Sequence, residues 1–303
     1  MTLLNRSMIA AATVVGVLAI GASPAAAIVG GQDATQPYPG MAAVSVLFPG
    51  VGTAKCGGSL ITPRFLLTAA HCVSDDAAAP TPVAVPAANI TIRVGSTDRT
   101  TGGQVATGLR VYLHPDWMWG MPTGTPVSDL ALVELTRPVW TSVMRLDTRQ
   151  PAGTDTVRRL IGWGLTAFPP PPDATLPTTL QQRDTTRLPA AACAGGFIGA
   201  GEVCISPGAC YGDSGSPALH ELPGHHNAPR SWASAGIASR ETNEATPCGS
   251  PTIFTDPAYP PFRAWIATTI VTSRVQPCTC PPVHTLTAAA QVHFGLMKPT
   301  LTR

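Results

Sequence analysis

The chain has 303 residues, of which 44% are apolar, 12% charged and 6% aromatic, and it contains 29 Gly and 32 Pro. This much Gly and Pro argues against a helical bundle or a coiled coil and favours many short strands joined by turns. The small charged fraction argues against intrinsic disorder, and a formal net charge of +2 gives no support to a nucleic-acid-binding surface.

The first 27 residues are typical of an export signal. Arg6 precedes an almost unbroken apolar stretch over residues 8–21, and three alanines at 25–27 provide a cleavage site. The apolar stretch is 14 residues long, and a membrane-spanning helix needs roughly 20. We therefore predict a signal peptide over residues 1–27, secretion of the mature chain, and cysteines that are paired rather than free.

Between residues 28 and about 270, short apolar runs alternate with clusters of turn-forming residues. This pattern is typical of a β-barrel or β-sandwich, and a single structural unit of this size is common in all-β proteins. Two Pro-rich segments, 77–86 and 169–172, are expected to be surface loops because Pro cannot serve a central ladder. The runs predict strands over residues 41–48, 59–68, 90–95, 130–135, 159–164, 235–239 and 252–255.

One helix is predicted over residues 260–270. Pro260 is suited to its first turn, and apolar residues recur at helical spacing on one face. That face is made of Phe262, Trp265, Ile266 and Ile270. From residue 273 onward the composition changes to a Thr- and Ala-rich tail, to which we assign no role.

Two residues capable of acid–base chemistry lie at the ends of strand-like apolar runs. His71 ends one run, after small residues that leave room for another group to approach the imidazole. Asp129 heads another, where a buried carboxylate needs hydrogen-bond donors and an imidazole N–H could be one. Taken singly, these residues also fit a core or loop histidine and an exposed aspartate at a strand end.

A serine lies between glycines in the segment Gly212-Asp213-Ser214-Gly215. Backbone there can take unusual angles, and its N–H groups are not screened by side chains, so the amides of Gly212 and Ser214 could hold an oxyanion. Serine becomes a good nucleophile only when a base takes its proton. Gly-Asp-Ser-Gly alone is a common turn, but the order His, Asp, Ser in a secreted β-rich chain indicates nucleophilic catalysis.

Because it contains these segments, the chain resembles the chymotrypsin-like (trypsin-fold) serine endopeptidases. The resemblance covers residues 28 to about 270, and its segments follow one another in the family's order. The matching segments are Ile28-Val29-Gly30-Gly31, Thr68-Ala69-Ala70-His71-Cys72, Asp129-Leu130-Ala131-Leu132, Gly162-Trp163-Gly164 and Gly212-Asp213-Ser214-Gly215.

The resemblance implies an all-β fold of two six-stranded antiparallel β-barrels, with the active site between them and a C-terminal helix. It also implies that residues 28–272 form the protease domain, followed by a tail of unknown role at 273–303. His71 would be general base and then acid, Asp129 would orient it, and Ser214 would attack the substrate. The amides of Gly212 and Ser214 would hold the oxyanion, and Ser239 would support Asp129.

Activation in this family pairs a new amino terminus with the Asp before the nucleophile, which here means the Ile28 amine and Asp213. Because Ala27 directly precedes Ile28, signal-peptide cleavage after Ala27 could free that amine without a separate propeptide. Cleavage after Ala25 would leave a two-residue extension, and the sequence does not decide between the two.

Cysteine pairing is also implied by the resemblance, since six cysteines allow 15 pairings and sequence alone does not choose. Cys278 and Cys280 lie outside the family's pattern; they could pair with each other, bridge two chains or bind a soft metal. The implied disulfides are Cys56 with Cys72, Cys193 with Cys204, and Cys210 with Cys248.

Specificity is expected from the pocket beside the nucleophile. Its floor corresponds to Gly208, which carries no charge, and its wall to Thr252, so we expect a small or apolar residue before the scissile bond. A deep pocket for Leu, Phe or Tyr is the alternative. Three residues depart from the family: Ser216 replaces a glycine, Arg240 a tryptophan, and Glu241 a glycine at the pocket rim, where it could attract a basic residue.

The sequence therefore predicts a secreted serine endopeptidase. We expect it to act as a monomer on proteins or peptides, with no cofactor or metal, no nucleic acid and no membrane contact after signal removal. Two alternatives remain open: a non-catalytic binding protein on a protease fold, and an esterase that uses the same acyl-transfer groups.

Overall fold

The computed structural model describes residues 28–75, 81–119, 127–149, 157–222 and 231–273. None of the helices in these ranges has the length and apolar character needed to span a membrane. The predicted signal peptide, almost all of the predicted tail, and the pair Cys278 and Cys280 lie outside the described residues.

Fourteen strands and one α-helix, α1 (Pro260–Ser273), are found within the described residues. The strands up to the middle of the chain are β1 (Gln32–Asp33), β2 (Met41–Phe48), β3 (Gly52–Thr62), β4 (Phe65–Thr68), β5 (Ile90–Val94), β6 (Gln104–Leu113) and β7 (Ala131–Leu135). Those that follow are β8 (Arg145–Leu146), β9 (Val157–Gly162), β10 (Gln181–Leu188), β11 (Glu202–Ile205), β12 (Pro217–Leu222), β13 (Ser231–Glu241) and β14 (Thr252–Thr255).

The first barrel closes in the order β2-β3-β4-β7-β6-β5, and every neighbouring pair is antiparallel. Alternation along β2 explains its place in the wall: Ala42, Val44 and Val46 point inward and are buried, whereas Leu47 is 47% exposed. Helix α1 packs on this barrel, with Phe262 and Ile266 buried in the barrel's apolar cluster. The predicted apolar face of the helix is thus confirmed.

The second barrel is formed by β9, β10, β11, β14, β13 and β12, and it closes because β12 pairs with β9. Strand β1 adds to β10 at one edge, and β8 pairs in parallel with β13. The predicted fold of two six-stranded antiparallel barrels with a C-terminal helix is therefore confirmed.

Strand prediction succeeds where the apolar pattern is simple. The predictions for residues 41–48 and 252–255 match β2 and β14, whereas the single strand predicted over 59–68 is wrong. A turn at Pro63 and Arg64 divides that run into the end of β3 and the whole of β4, because Pro63 cannot donate to a ladder. Strand β10 was not predicted, since its sequence QQRDTTRL is polar.

The two barrels meet at the backbone of Gly57 in β3. Its N–H donates to the carbonyl oxygen of Ser214 at 2.7 Å. A Cβ atom added at Gly57 would lie 2.9 Å from Ser216 Cα, closer than real Cβ contacts come. Glycine at this position therefore lets the first barrel approach the loop that carries Ser214.

Replacing Leu132 in β7 by Ala should lower the free energy of unfolding by about 2–5 kcal/mol, because Leu132 is 0% exposed and its removal leaves a cavity. Leu47→Ala in β2 is the matched control and should change stability by less than about 1 kcal/mol. Denaturant titration measures both. Equal losses for the two variants would contradict the assignment of β7 to the core.

Candidate active site

His71 is held at the end of β4 by the chain on both sides of it. The 3-10 turn Ala70–Cys72 carries it, and the side chain keeps 20% of its surface exposed. Cys72 is disulfide-bonded to Cys56 in β3, which ties this turn to the neighbouring strand. The imidazole is therefore accessible but anchored.

Asp129 lies just before β7 and is completely buried. Its carboxylate accepts hydrogen bonds from His71 Nδ1 at 2.7 Å, from the His71 backbone N–H at 3.0 Å and from Ser239 Oγ at 2.7 Å. Burial alone would raise the pKa of Asp129, but the charge of His71 and these hydrogen bonds outweigh it and lower the pKa. An ionised Asp129 keeps the proton of the imidazole on Nδ1, which leaves Nε2 as the acceptor.

Ser214 lies on a tight loop between Gly212, with φ of 97°, and Gly215, with φ of 76°. A Cβ atom added at Gly215 would lie 3.1 Å from the backbone nitrogen of Ala69. The loop therefore packs against the residues that lead to His71, and Ser214 is partly exposed there. Among the described residues Ser214 Oγ makes no hydrogen bond to His71 Nε2; in enzymes without substrate such catalytic hydrogen bonds are often long and tighten on binding.

Two backbone amides beside Ser214 are available to a ligand. The N–H groups of Gly212 and Ser214 have no acceptor within the described part of the chain. A Cβ at Gly212 would lie 3.0 Å from Gly164 Cα and 3.1 Å from Leu176 Cδ2, so only glycine fits comfortably at this φ. The two donors are the predicted oxyanion-binding pair.

Asp213 is buried at 2% exposure, and within the described residues its carboxylate accepts hydrogen bonds from backbone donors alone. Oδ1 accepts from the Gly164 N–H at 2.8 Å and Oδ2 from the Cys210 N–H at 3.0 Å. No cationic side chain pairs with this carboxylate in the described ranges. Burial therefore raises the pKa of Asp213 to about 7, although the two backbone hydrogen bonds oppose the shift.

Ile28 is inserted into the second barrel near this carboxylate. It is 1% exposed, and it packs in a cluster that includes Leu160 and Ala209, the residue before Cys210. The Val29 N–H donates to the Gly208 carbonyl at 2.8 Å and fixes the entry of the chain. With its peptide bond to residue 27 intact, Ile28 has φ of 64°, a conformation that a β-branched residue rarely adopts.

The residues expected to form the pocket come from chain segments before and after Ser214. Thr252 is buried and its Oγ1 has no hydrogen-bond partner within the described residues, whereas Glu241 accepts from the Cys248 N–H at 3.0 Å. Burial raises the pKa of Glu241 to about 7. A Cβ at Gly208 would meet Arg183 Nη1 and Ile28 Cγ2, both at 3.3 Å, so a cation lies next to the uncharged floor.

Arg240, which replaces a tryptophan of the family's pattern, forms hydrogen bonds that anchor it to neighbouring loops. Its guanidinium makes two hydrogen bonds to Glu202, at 2.6 and 2.8 Å, and others to the carbonyls of Gly196 and Phe197. These bonds attach Arg240 to the segment that contains Gly196 and Phe197 and to strand β11 of the same barrel. The charge of Arg240 is thus paired with Glu202 within the second barrel.

Sequence reasoning did not identify two residues that contribute to the site. Thr255 in β14 donates its hydroxyl to the Asp129 carbonyl at 3.1 Å, and no local signal marks it because the two are far apart in the chain. The ring of Trp119 lies 5.7 Å from that of His71. No local signal in the sequence marks this contact with the histidine ring.

All three implied disulfides are formed: Cys56 with Cys72, Cys193 with Cys204, and Cys210 with Cys248. The last one joins the loop of Ser214 to the segment that follows β13. It therefore restrains the pocket wall relative to the nucleophile.

Comparison with known proteins agrees with this arrangement. The chain is 32% identical over 230 residues to the trypsin of Sarcophaga bullata, covering 71% of this chain and 78% of that protein. It is 33% identical over 175 residues to serine protease SP24D of Anopheles gambiae, covering 54% and 58%. It is 28% identical over 212 residues to serine protease Hayan of Drosophila melanogaster, covering 61% of this chain but 31% of that protein.

The family described as Trypsin matches residues 28–266, which include both barrels, the three segments of the site and the first half of the C-terminal helix. The chain therefore belongs to the trypsin family of serine endopeptidases.

Proposed function

We propose that this endopeptidase is secreted and hydrolyses peptide bonds through an acyl-enzyme on Ser214. The observation that carries the proposal is the buried Asp129 carboxylate, bonded to His71 Nδ1 at 2.7 Å. It leaves His71 Nε2 as a base on the side of the imidazole open to a substrate. Three disulfides among the described residues support an oxidising, extracellular location.

The proposed reaction has two stages. Ser214 Oγ attacks the peptide carbonyl carbon while His71 Nε2 takes the serine proton, and the amides of Gly212 and Ser214 donate to the resulting oxyanion. His71 then gives the proton to the departing amine, and the C–N bond breaks. In the second stage a water attacks the ester, His71 accepts its proton, and the acid product leaves as the proton returns to Ser214.

Ser214→Ala should reduce kcat for peptide hydrolysis by at least about 10³-fold, since it removes the attacking oxygen. Ser216→Ala is the matched control: Ser216 Oγ is buried without a hydrogen-bond partner in the described residues, so its loss should leave kcat within about twofold. Initial-rate assays on the purified full protein measure both. Undiminished turnover by the Ser214 variant would exclude the proposal, whereas absence of turnover by the unsubstituted protein would favour a binding function.

We propose that the pocket beside Ser214 accepts a small or apolar residue before the scissile bond. Uncharged Gly208, the Arg183 cation near it and the buried Thr252 wall support this preference. Thr252→Gly should raise the ratio of kcat/KM for Phe over Ala substrates about tenfold, because it removes bulk from the wall. Preferential cleavage after Phe by the unsubstituted enzyme would contradict this preference and indicate a deep pocket. Preferential cleavage after Lys would also contradict it and would indicate that Glu241 attracts the basic side chain.

Activation by a free Ile28 amine is supported by Asp213, a buried carboxylate without a cation, and by the positive φ of Ile28. A left-handed conformation costs roughly 1–2 kcal/mol at a non-glycine residue, and cleavage before Ile28 removes that dihedral. The new ammonium could then pair with Asp213, and such a pair can order the oxyanion loop.

This activation predicts a difference in stability between two forms of the Ser214→Ala protein, one starting at Ile28 and one retaining residues before it. In the extended form, a carboxyl with a raised pKa binds its proton more tightly when folded. The contribution of Asp213 to stability should therefore be fully present below about pH 4, the pKa of an unfolded Asp, and should be lost as pH rises to about 7. Pairing with the Ile28 ammonium should remove this loss.

Thermal unfolding between pH 4 and 8 measures the difference. Asp213→Asn in the extended form is the control and should abolish that part of the pH dependence. The same decline in both forms would contradict pairing of Ile28 with Asp213.

A further inference from the structure

A cavity of about 170 Å³ opens beside Gly212. It is lined by residues of β3, by the loop after β5 and by the loop between β9 and β10, among them Cys56, Trp163 and Leu176. None of the pocket residues Gly208, Glu241 and Thr252 lines it. The cavity is therefore distinct from the pocket expected to hold the residue before the scissile bond.

Two cations line this cavity without a carboxylate among its lining residues. Lys55 Nζ donates to Ser45 Oγ at 2.9 Å, and Arg99 donates to two backbone carbonyls of the 176–177 segment, at 2.7 and 2.8 Å. All of these acceptors are neutral. Within the described residues neither cation forms an ion pair with a carboxylate.

The nearest acid in sequence does not line the cavity. Asp98 precedes Arg99, but its carboxylate accepts hydrogen bonds from Thr100 at 2.7 and 2.6 Å and from Thr101 at 3.2 Å. Partial burial and the Arg99 guanidinium lower the pKa of Lys55, so the two cations lie close enough to interact. An anion bound between them would relieve this repulsion.

The position of the disulfide next to His71 indicates which part of a substrate reaches the cavity. His71 Nε2, which would protonate the departing amine, lies 3.8 Å from Cys72 Sγ. Cys72 is bonded to Cys56, and Lys55 comes directly before Cys56 in β3. The disulfide therefore places Lys55 on the side of the site where His71 Nε2 would protonate the departing amine.

We propose, on the basis of the acyl-transfer function above, that this cavity binds an acidic side chain within the first three residues after the scissile bond. Arg99 is held in place by its two carbonyl partners, and Lys55 is an exposed residue of β3. A carboxylate between them would gain two charge-assisted contacts while keeping access to solvent. The enzyme thus selects peptides on both sides of the bond that it cleaves.

Quenched fluorogenic peptides with one fixed sequence before the scissile bond test this proposal. Glu is moved through each of the first three following positions and compared at each with Gln. We expect kcat/KM to be about tenfold higher for Glu than for Gln at one of these positions, and the ratio to fall towards one at high salt. A ratio near one at all three positions in low salt would overturn the proposal.

Variants of the residues that line the cavity test whether the cavity causes the preference for Glu over Gln. Lys55→Gln, alone and with Arg99→Gln, should reduce the Glu-to-Gln ratio to about two or less. Arg145→Gln is the matched control, because Arg145 is exposed on β8 and does not line the cavity, and it should leave the ratio unchanged. An unchanged ratio in the Lys55 variant, or an equal loss in the Arg145 variant, would also overturn the proposal.

A substrate with a small chromophore as leaving group separates this inference from the proposed function. It places no residue in the cavity, so Lys55→Gln should hydrolyse it at the rate of the unsubstituted enzyme. If the unsubstituted enzyme hydrolyses neither this substrate nor the peptides, the acyl-transfer function fails. If it hydrolyses the chromogenic substrate but ignores Glu after the scissile bond, only the cavity assignment fails.

Discussion

A single buried carboxylate links the two barrels at the site. Asp129 precedes a strand of the first barrel, but it accepts a hydrogen bond from Ser239 in β13, and its backbone carbonyl accepts one from Thr255 in β14. Burying a charge in this way is unfavourable unless donors surround it. Since those donors come from His71 on the first barrel and from two strands of the second, the geometry around the imidazole depends on the barrels being docked.

The second buried carboxylate follows a different physical logic. Asp129 is stabilised in its ionised form, whereas Asp213 has a raised pKa and, among the described residues, backbone donors alone. The charge of Asp129 is therefore stabilised by groups within the folded chain, whereas the charge of Asp213 would be stabilised by an added cation. The contrast between two aspartates in adjacent parts of one structure supports different roles for them, one in orienting a base and one in sensing the chain end.

Sequence alone predicted the parts of the structure that depend on local pattern. The strand over 41–48 and the apolar face of α1 follow from the periodicity of their own residues, and the disulfides and barrel count followed from the family resemblance. Strand β10 was missed because its polar side chains find partners in the fold, as when Asp184 pairs with Arg159 at 2.6 Å. The cavity lined by Lys55 and Arg99 could not be predicted, since segments far apart in sequence form it.

The hydrogen bond from Gly57 to Ser214 joins the barrels by backbone atoms, with no room for a side chain between them. Such a contact leaves little scope for a hinge, because opening the cleft would break both this bond and the donors around Asp129. The conformational adjustment on binding therefore falls on the target protein, which loses chain entropy as its segment becomes extended across the cleft. Segments of a target that are already loosely structured would pay the smallest entropic penalty in this step. The enzyme would therefore select for target segments that unfold locally.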